Sequence, residues 1–193
     1  MPHPPSDKSL LRREARALRQ ALDAPTRAAA GRAAAGHISQ LPGWREIETL
    51  AIYLPQGGEL DTSDLCALAG REGKLVYLPV LAPGKRLDFA CWRPGEALTP
   101  NCYGIPEPGP GAERRDPGAL DLICLPLVAW NARGDRLGMG GGYYDRTLAA
   151  CASLKVGVGY ELQRCESLAP DSWDVRLDYV LTESALHRCA GRD

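Results

Sequence analysis

The sequence predicts an α/β fold, with a largely parallel or mixed central sheet covered by helices on both faces and two helices ahead of the first strand. Three observations carry this expectation. The short apolar runs TLAIYLP, KLVYLPVL, DLICLPL and KVGVGY lack the polar alternation of a half-solvated sheet, as strands buried on both faces do. Helical stretches interrupt the series of runs, and parallel strands need such crossovers. Residues 6–41 repeat at helical spacing before any strand pattern begins. A chain of 193 residues with 45% hydrophobic content fits one domain, 1–193, enclosing one sheet.

Residues 1–5 are a Pro-rich tail, expected to be flexible. A helix over 6–22 follows, with an apolar stripe of Leu11, Ala15, Leu18 and Leu22 at spacings of one helical turn. Lys8, Arg12, Arg16 and Arg19 share an adjoining face, which reads either as a solvated basic surface or as a cationic wall facing phosphates or carboxylates. Pro25 can open a second helix, because the first turn needs no N–H donor there. That helix runs over 26–41, with Ala30, Ala34, Ile38 and Leu41 on one side, and Pro42-Gly43 closes it. Gly31 and Gly36 each cost it about 1 kcal/mol relative to alanine, so it depends on tertiary packing. Strand 49–55, helix 62–70 and strands 74–81 and 86–92 come next. Residues 93–119, rich in Pro and Gly, predict a long ordered loop. Strand 121–127, helix 143–151, strand 155–160 and strand 178–182 complete the series.

Lys and Arg total 23 against 24 for Asp and Glu, a formal charge of -1. This balance gives no support to a general nucleic-acid surface, although it permits a local cationic pocket. No apolar stretch approaches the roughly 20 residues that cross a bilayer, and no signal-peptide core is present. The expectation is a cytoplasmic protein with no membrane, nucleic-acid or obligatory protein partner. Cys66, Cys91, Cys102, Cys124, Cys151, Cys165 and Cys189 are dispersed and odd in number, which favours buried thiols over a disulfide framework or zinc knot. His3, His37 and His187 show no ligand spacing.

The strongest chemical signal is GDRLGMGGGYYDR, residues 134–146, between a buried strand and a helix. Gly138, Gly140, Gly141 and Gly142 remove four Cβ atoms from one turn, so backbone N–H groups can converge on an anion. Arg136 and Arg146 can add fixed charge, Tyr143 and Tyr144 can shape a pocket, and Asp145 can hold magnesium. The plainer alternative is a close-packed turn in which Arg136 and Asp145 form an ordinary ion pair. The segment is neither a Walker A loop nor a GxGxxG fingerprint. Glu59, in GGELD just beyond the 49–55 strand, stands where α/β proteins place ligands, whereas Asp61 and Thr62 suit a helix cap. Asp174 can join Asp145 around magnesium if the final strand lies beside the glycine turn; otherwise it starts a turn. Trp130 is the best ligand-contact candidate among Trp44, Trp92, Trp130 and Trp173, with packing as its alternative. No convincing nucleophile–base pattern, HExxH or GxSxG occurs.

Taken in order, KSLLR, AIYLPQGGELDT, KLVYLPV, YGIPEP, DLICLPLVAW, RLGMGGGYYDR and WDVRLDYVLTE resemble the 5-formyltetrahydrofolate cyclo-ligase family over most of the chain. The resemblance implies ATP- and magnesium-dependent conversion of 5-formyltetrahydrofolate to 5,10-methenyltetrahydrofolate, with ADP and phosphate released. It implies nucleotide or phosphate contacts from Lys8 and Arg12. The turn Arg136, Leu137, Gly138, Met139, Gly140, Gly141, Gly142, Tyr143 and Tyr144 would bind ATP, with Arg136, Tyr144 and Arg146 as the catalytic residues. Asp145 and Asp174 match magnesium-associated positions, Glu59 matches a folate contact, and Tyr143 and Trp130 are further pocket candidates. Leu127 and Asn131 depart from the pattern, standing where the family more often carries glycine and aspartate. They motivate two alternatives: a folate- or nucleotide-binding protein without catalysis, and an ATP-dependent ligase for a related small molecule.

Overall fold

In the computed structural model, which describes residues 7–190, the apolar runs divide their side chains between two cores. Leu122 and Cys124 enter one core with Leu50, Ile52, Val76, Val156 and Val158. Ile123 and Leu125 enter the other with Ala51, Tyr77 and Phe89. Strand geometry sends successive side chains to opposite faces, so a run buried on both sides must be apolar throughout. The expected tail at 1–5 lies outside the described residues, as does Ser6, the first residue of the predicted helix.

The elements follow in order: α1 (Asp7–Gln20), α2 (Ala24–His37), β1 (Thr49–Ala51), α3 (Ser63–Arg71), β2 (Leu75–Ala82), β3 (Arg86–Cys91), β4 (Leu98–Pro100) and β5 (Pro106–Pro108). Then come β6 (Arg114–Arg115), β7 (Leu122–Pro126), β8 (Ala129–Trp130), β9 (Arg136–Leu137), α4 (Tyr143–Leu148), β10 (Leu154–Val158), β11 (Tyr179–Leu181) and β12 (Leu186–Arg188). The main sheet has eight strands in the order β12-β11-β10-β7-β1-β2-β3-β6. Its five central strands are parallel, and antiparallel pairs lie at both edges. The fold is therefore the mixed form of the expected α/β sheet.

α2 and α3 cover one face through Ala30, Ala34, Ala35, Leu65, Cys66 and Ala69. A Cβ on Gly31 would lie 2.8 Å from the Asp61 carbonyl oxygen, so that glycine allows α2 to pass close to the chain entering α3. On the opposite face the only α-helix among the described residues is the short α4, represented by Leu148, with Leu127, Trp130 and Leu177 filling the rest. α1 packs instead against the β8–β9 hairpin, where Ala15 and Leu11 meet Val128, Ala129, Leu137 and Leu168. The predicted stripe on α1 needs correction at one turn: Leu18 is 54% exposed while Arg19 is 1% exposed.

Four further differences concern local chemistry. Residues 93–119 are ordered but contain the β4–β5 hairpin and the edge strand β6; Pro100, Pro106 and Pro108 had masked the hairpin, since proline cannot donate to a ladder. β8, β9 and β12 were likewise not anticipated. α4 ends at Leu148 rather than at 151, as Cys151 N–H donates to the Leu148 carbonyl in a tightening turn. All seven cysteines are free, with Cys66 and Cys124 fully buried. Among the described residues, no helix is long and apolar enough to cross a membrane.

Candidate active site

β1 and β7 are neighbours in the sheet, yet β1 leads away to β2 on one side and β7 to β10 on the other. Loops leaving two such strands separate and open a crevice between them. Here that crevice is a cleft of about 1650 Å³ lined by the chain after β1 (Tyr53, Gln56, Gly57, Glu59), by residues 136–146 and by α1. The two motifs on which the sequence expectation depended thus share one cavity.

The glycine turn is held by two arginines. Arg12 Nε donates to the Gly138 carbonyl at 2.9 Å, and Arg146 Nη1 donates to the Gly141 carbonyl at 2.8 Å. Gly140 and Gly142 have φ of 97° and 68°, a region that side chains rarely enter. A Cβ on Gly142 would also meet Arg146 Nη1 at 2.7 Å. Neither glycine is replaceable without moving the turn. α4 is only six residues long and begins at Gly142, so the loop's own amides and the arginines supply most of the positive potential, rather than a helix dipole.

Arg136 Nη2 donates to Asp145 Oδ1 at 2.6 Å, which is the ion pair the plainer sequence reading anticipated. That pair does not exhaust the arginine: its side chain is 3% exposed, and its Nε has no partner among the described residues. A buried, unpaired guanidinium N–H costs free energy unless a bound acceptor satisfies it, so the ion pair leaves Arg136 a donor to offer an anion. Asp145 Oδ1 also accepts from Val175 N–H at 3.1 Å, which ties the turn to the 171–176 segment.

That segment carries Asp174, whose Oδ2 accepts from Asp171 N–H at 2.8 Å. Lys8 Nζ reaches Asp171 at 2.7 Å and Asp174 at 3.4 Å. Burial opposes the Lys8 charge, but the Asp171 hydrogen bond and the two carboxylates outweigh it, so the Lys8 pKa is raised. Lys8, Arg12, Arg16 and Arg19 all line the cleft. The basic face of α1 therefore borders the cleft, with Arg19 buried and Arg16 still exposed to solvent.

Glu59 closes its own turn, accepting from Gln56 N–H at 3.0 Å through Oε2 while its N–H donates to the Gln56 carbonyl at 3.1 Å. Burial raises its pKa, against the Gln56 hydrogen bond and the charges of Arg19 and Arg16. The Tyr144 hydroxyl is held well above the usual tyrosine range by burial and then by the Glu59 charge, with Arg136 opposing. Tyr144 lines the same cleft as the Glu59 turn and the glycine turn. Tyr143 and Tyr103 hydroxyls meet at 2.9 Å, joining α4 to the tip of the β4–β5 hairpin. Leu137 is buried and Met139 is 51% exposed, and both line the cleft.

Trp130 is not among the cleft residues. Its side chain is fully buried, its Nε1 donates to the Tyr160 carbonyl at 3.2 Å, and its ring packs 5.0 Å from the His187 ring. Its expected ligand contact is corrected to packing: strand β8 turns the indole into the core. Leu127 and Asn131 also lie outside the cleft. The Leu127 side chain fills the space over Gly157 and Gly159, where added Cβ atoms would come within 2.8 and 2.5 Å of it. Asn131 donates to Asp135 Oδ2 at 3.0 Å and accepts from Arg133 and Asp135 N–H groups at 3.0 and 3.1 Å.

The sequence assigned no ligand role to Gln56, Tyr53, Asn101, Tyr103 or Asp171, all of which line the cleft. Arg16 and Arg19 were within reach of pattern reading, being on one helical face with Lys8 and Arg12. Among the described residues no three His, Cys, Asp or Glu side chains cluster as a metal cage. Magnesium seldom uses such a cage, taking one or two carboxylates plus substrate phosphates and water. Asp145 and Asp174 beside the glycine turn fit that requirement.

A family model described as the 5-formyltetrahydrofolate cyclo-ligase family matches residues 4–183. The chain is 36% identical over 177 residues to a 5-formyltetrahydrofolate cyclo-ligase of Haemophilus influenzae, covering 89% of this chain and 95% of that one. It is 38% identical over 172 residues to the protein of that name from Escherichia coli, covering 86% and 94%. An NMR structure of Aquifex aeolicus 5,10-methenyltetrahydrofolate synthetase superposes with a TM-score of 0.83 at 34% identity, covering 96% and 95%.

Proposed function

The chain belongs to the 5-formyltetrahydrofolate cyclo-ligase family, and we propose that its cleft cyclises 5-formyltetrahydrofolate to 5,10-methenyltetrahydrofolate using Mg-ATP, releasing ADP and phosphate. One observation carries the reading: the glycine turn and the Glu59 turn line the same cleft, bordered by the basic face of α1. A polyanion seat and a buried hydrogen-bonding carboxylate thus address two ends of one reaction.

The chemistry needs both. A formamide is resonance-stabilised and its oxygen is a poor leaving group. Transfer of the γ-phosphoryl group to the formyl oxygen releases ADP and makes the formyl carbon electrophilic. The folate N10 then attacks that carbon and loses its proton. The C–O bond to the phosphorylated oxygen breaks, phosphate departs with its electron pair, and the methenyl bridge remains. No protein nucleophile takes part.

The chain's work is alignment and charge stabilisation. Backbone N–H groups of the 138–142 turn, with Arg12, Arg136 and Arg146, receive the phosphates. The unpaired Arg136 Nε supplies a donor for a phosphate oxygen. Lys8 adds charge at the same end. Glu59, fixed by Gln56 N–H, accepts from N–H groups of the pterin, and Tyr144 lines the same cleft. Asp145 and Asp174 would hold the magnesium ion, which when bound offsets phosphate charge. The non-catalytic alternative loses its motive, since Leu127 and Asn131 both lie away from the cleft.

The test is a reaction of purified protein with 5-formyltetrahydrofolate and Mg-ATP, with ATP and magnesium omitted in separate controls. Methenyl absorbance and ADP should appear together in equal amounts, and neither should appear in the controls. Binding of both ligands without either product would overturn the reading.

A further inference from the structure

Arg19 is the most deeply buried charged side chain lining the cleft, at 1% exposure. Its hydrogen bonding is far from complete. Nη2 donates to the Gly57 carbonyl at 3.1 Å, while Nε and Nη1 have no hydrogen-bond partner among the described residues. Nη1 lies 4.0 Å from Glu59 Oε1, the carboxylate oxygen that the Gln56 N–H leaves open. Gly57 and Gly58 have φ of 54° and 79°, and the Arg19 backbone and side chain approach to 3.6 and 3.7 Å of where a Gly58 Cβ would stand. The 56–59 turn therefore packs closely on Arg19, with Arg27 Nη1 also 3.7 Å from the Gly58 Cβ position.

A buried ionised carboxylate is costly unless an opposite charge lies near it. The groups facing Glu59 come from four elements. Arg16 and Arg19 on α1 favour its charge. Tyr53 beyond β1 and Tyr144 on α4 are both neutral hydroxyls held high by burial and by Glu59 itself. Tyr160, after β10, contacts only the Glu59 backbone carbonyl, at 3.4 Å. Arg16 is solvent-exposed, so Arg19 is the buried countercharge.

Resting on the folate role given to Glu59 above, we propose that Arg19 is a positioning residue for the formylfolate end of the reaction: it holds the Gly57 carbonyl and orients the Glu59 carboxylate. Its effect passes through Glu59, not through the phosphates that Arg12 and Arg136 serve. The residue sets folate recognition and its pH range while leaving ATP recognition nearly untouched.

The experiment measures kcat/KM against pH, separately for formylfolate and ATP, in the wild type, Arg19→Lys and Arg19→Gln. Removing the charge should raise the Glu59 pKa, so the acid limb for formylfolate should move upward by about one pH unit or more in Arg19→Gln. Arg19→Lys should keep the limb near its wild-type position. KM for formylfolate should rise about tenfold or more in Arg19→Gln, and KM for ATP should change by less than about threefold. An unmoved acid limb, or equal rises in both KM values, would overturn the proposal. If Arg19→Gln does not fold, thermal unfolding of Arg19→Gln/Glu59→Gln decides: restored folding supports the pairing and continued failure refutes it. A wild type that makes no methenyl product would instead refute the cyclo-ligase reading.

Discussion

Two arginine–carboxylate clusters stand close together in the sequence and teach opposite lessons. In the first, Asp135 is 2% exposed and all its acceptor capacity is in use. It accepts from Asn131 and Arg133 on Oδ2 and from two nitrogens of Arg176 on Oδ1. In the second, one residue along, Arg136 pairs with Asp145 but keeps a buried Nε unpaired, as Arg19 keeps Nε and Nη1. A satisfied buried network specifies structure. An unsatisfied one around a cleft is a stored preference for an anion. Charge content alone does not separate the two; hydrogen-bond completeness does.

The largest expected effect tests the first cluster. Asp135→Ala should lower stability by about 3 kcal/mol, the lower end for a broken buried pair, because the half-exposed Arg133 can turn to water. Burial pushes the Asp135 carboxyl upward, but Asn131, Arg176 and Arg133 outweigh it and hold its pKa below 3.8. The stability it contributes is therefore present above that value and lost as pH falls through the lower folded pKa. Denaturant melts should show a full deficit at neutral pH that closes in acid, with KM for both substrates unchanged. A large loss of ATP affinity would place Asp135 with the cleft.

Arg136→Ala should do the reverse. Losing a preorganised donor to the transferred group should lower kcat/KM for ATP by about 10²–10³, with formylfolate affinity nearly constant. Unchanged ATP kinetics with a lower melting temperature would make Arg136 a structural partner of Asp145 and dissolve the contrast. Asp145→Asn is the milder change, since Asn can still accept from Arg136 and Val175. It should raise the magnesium concentration for half-maximal rate by about tenfold, ~1.4 kcal/mol, measured by titrating magnesium at fixed ATP. An unaltered magnesium dependence would remove Asp145 from the metal's ligands.

The same contrast explains what could be read in advance. The apolar runs were legible because burial on both faces imposes one composition on Leu122 to Leu125 of β7 and on Val156 to Val158 of β10. The glycine turn and Glu59 were legible as candidates because unusual backbone and strand-exit position both leave marks in sequence. Arg19 was legible only as one of four basic residues sharing a face, and its burial was not, for apolar periodicity assigns the inward face to Leu18, whereas a cleft reverses which face is valuable and lets Leu18 face solvent. Trp130 misled for a related reason: nearness in sequence to the glycine turn says nothing of which side of a two-residue strand the indole takes. The β4–β5 hairpin was hidden by its prolines, and the bonds that hold it, Asn101 Nδ2 donating to Glu107 Oε1 and the Tyr103–Tyr143 contact, are decided by tertiary structure.

The smallest expected effect concerns the position that looked most like a loss of function. Asn131→Asp restores the residue that the family pattern more often carries, yet here its Nδ2 donates to a buried carboxylate. An aspartate would exchange that donor for a second negative charge facing Asp135, while its Oδ1 could still accept the Arg133 and Asp135 N–H groups. The cost should be about 1–2 kcal/mol near neutral pH. Because a like charge raises the folded pKa of the new carboxyl, the penalty should grow as pH rises through that value and shrink below it. Thermal melts of wild type and variant at acid and neutral pH measure this directly, and cyclisation rates at saturating substrates should match. A variant more active than wild type would mean that the 127–135 segment reaches the cleft after all, and that completeness of hydrogen bonding is a poor guide to which buried charges await a ligand.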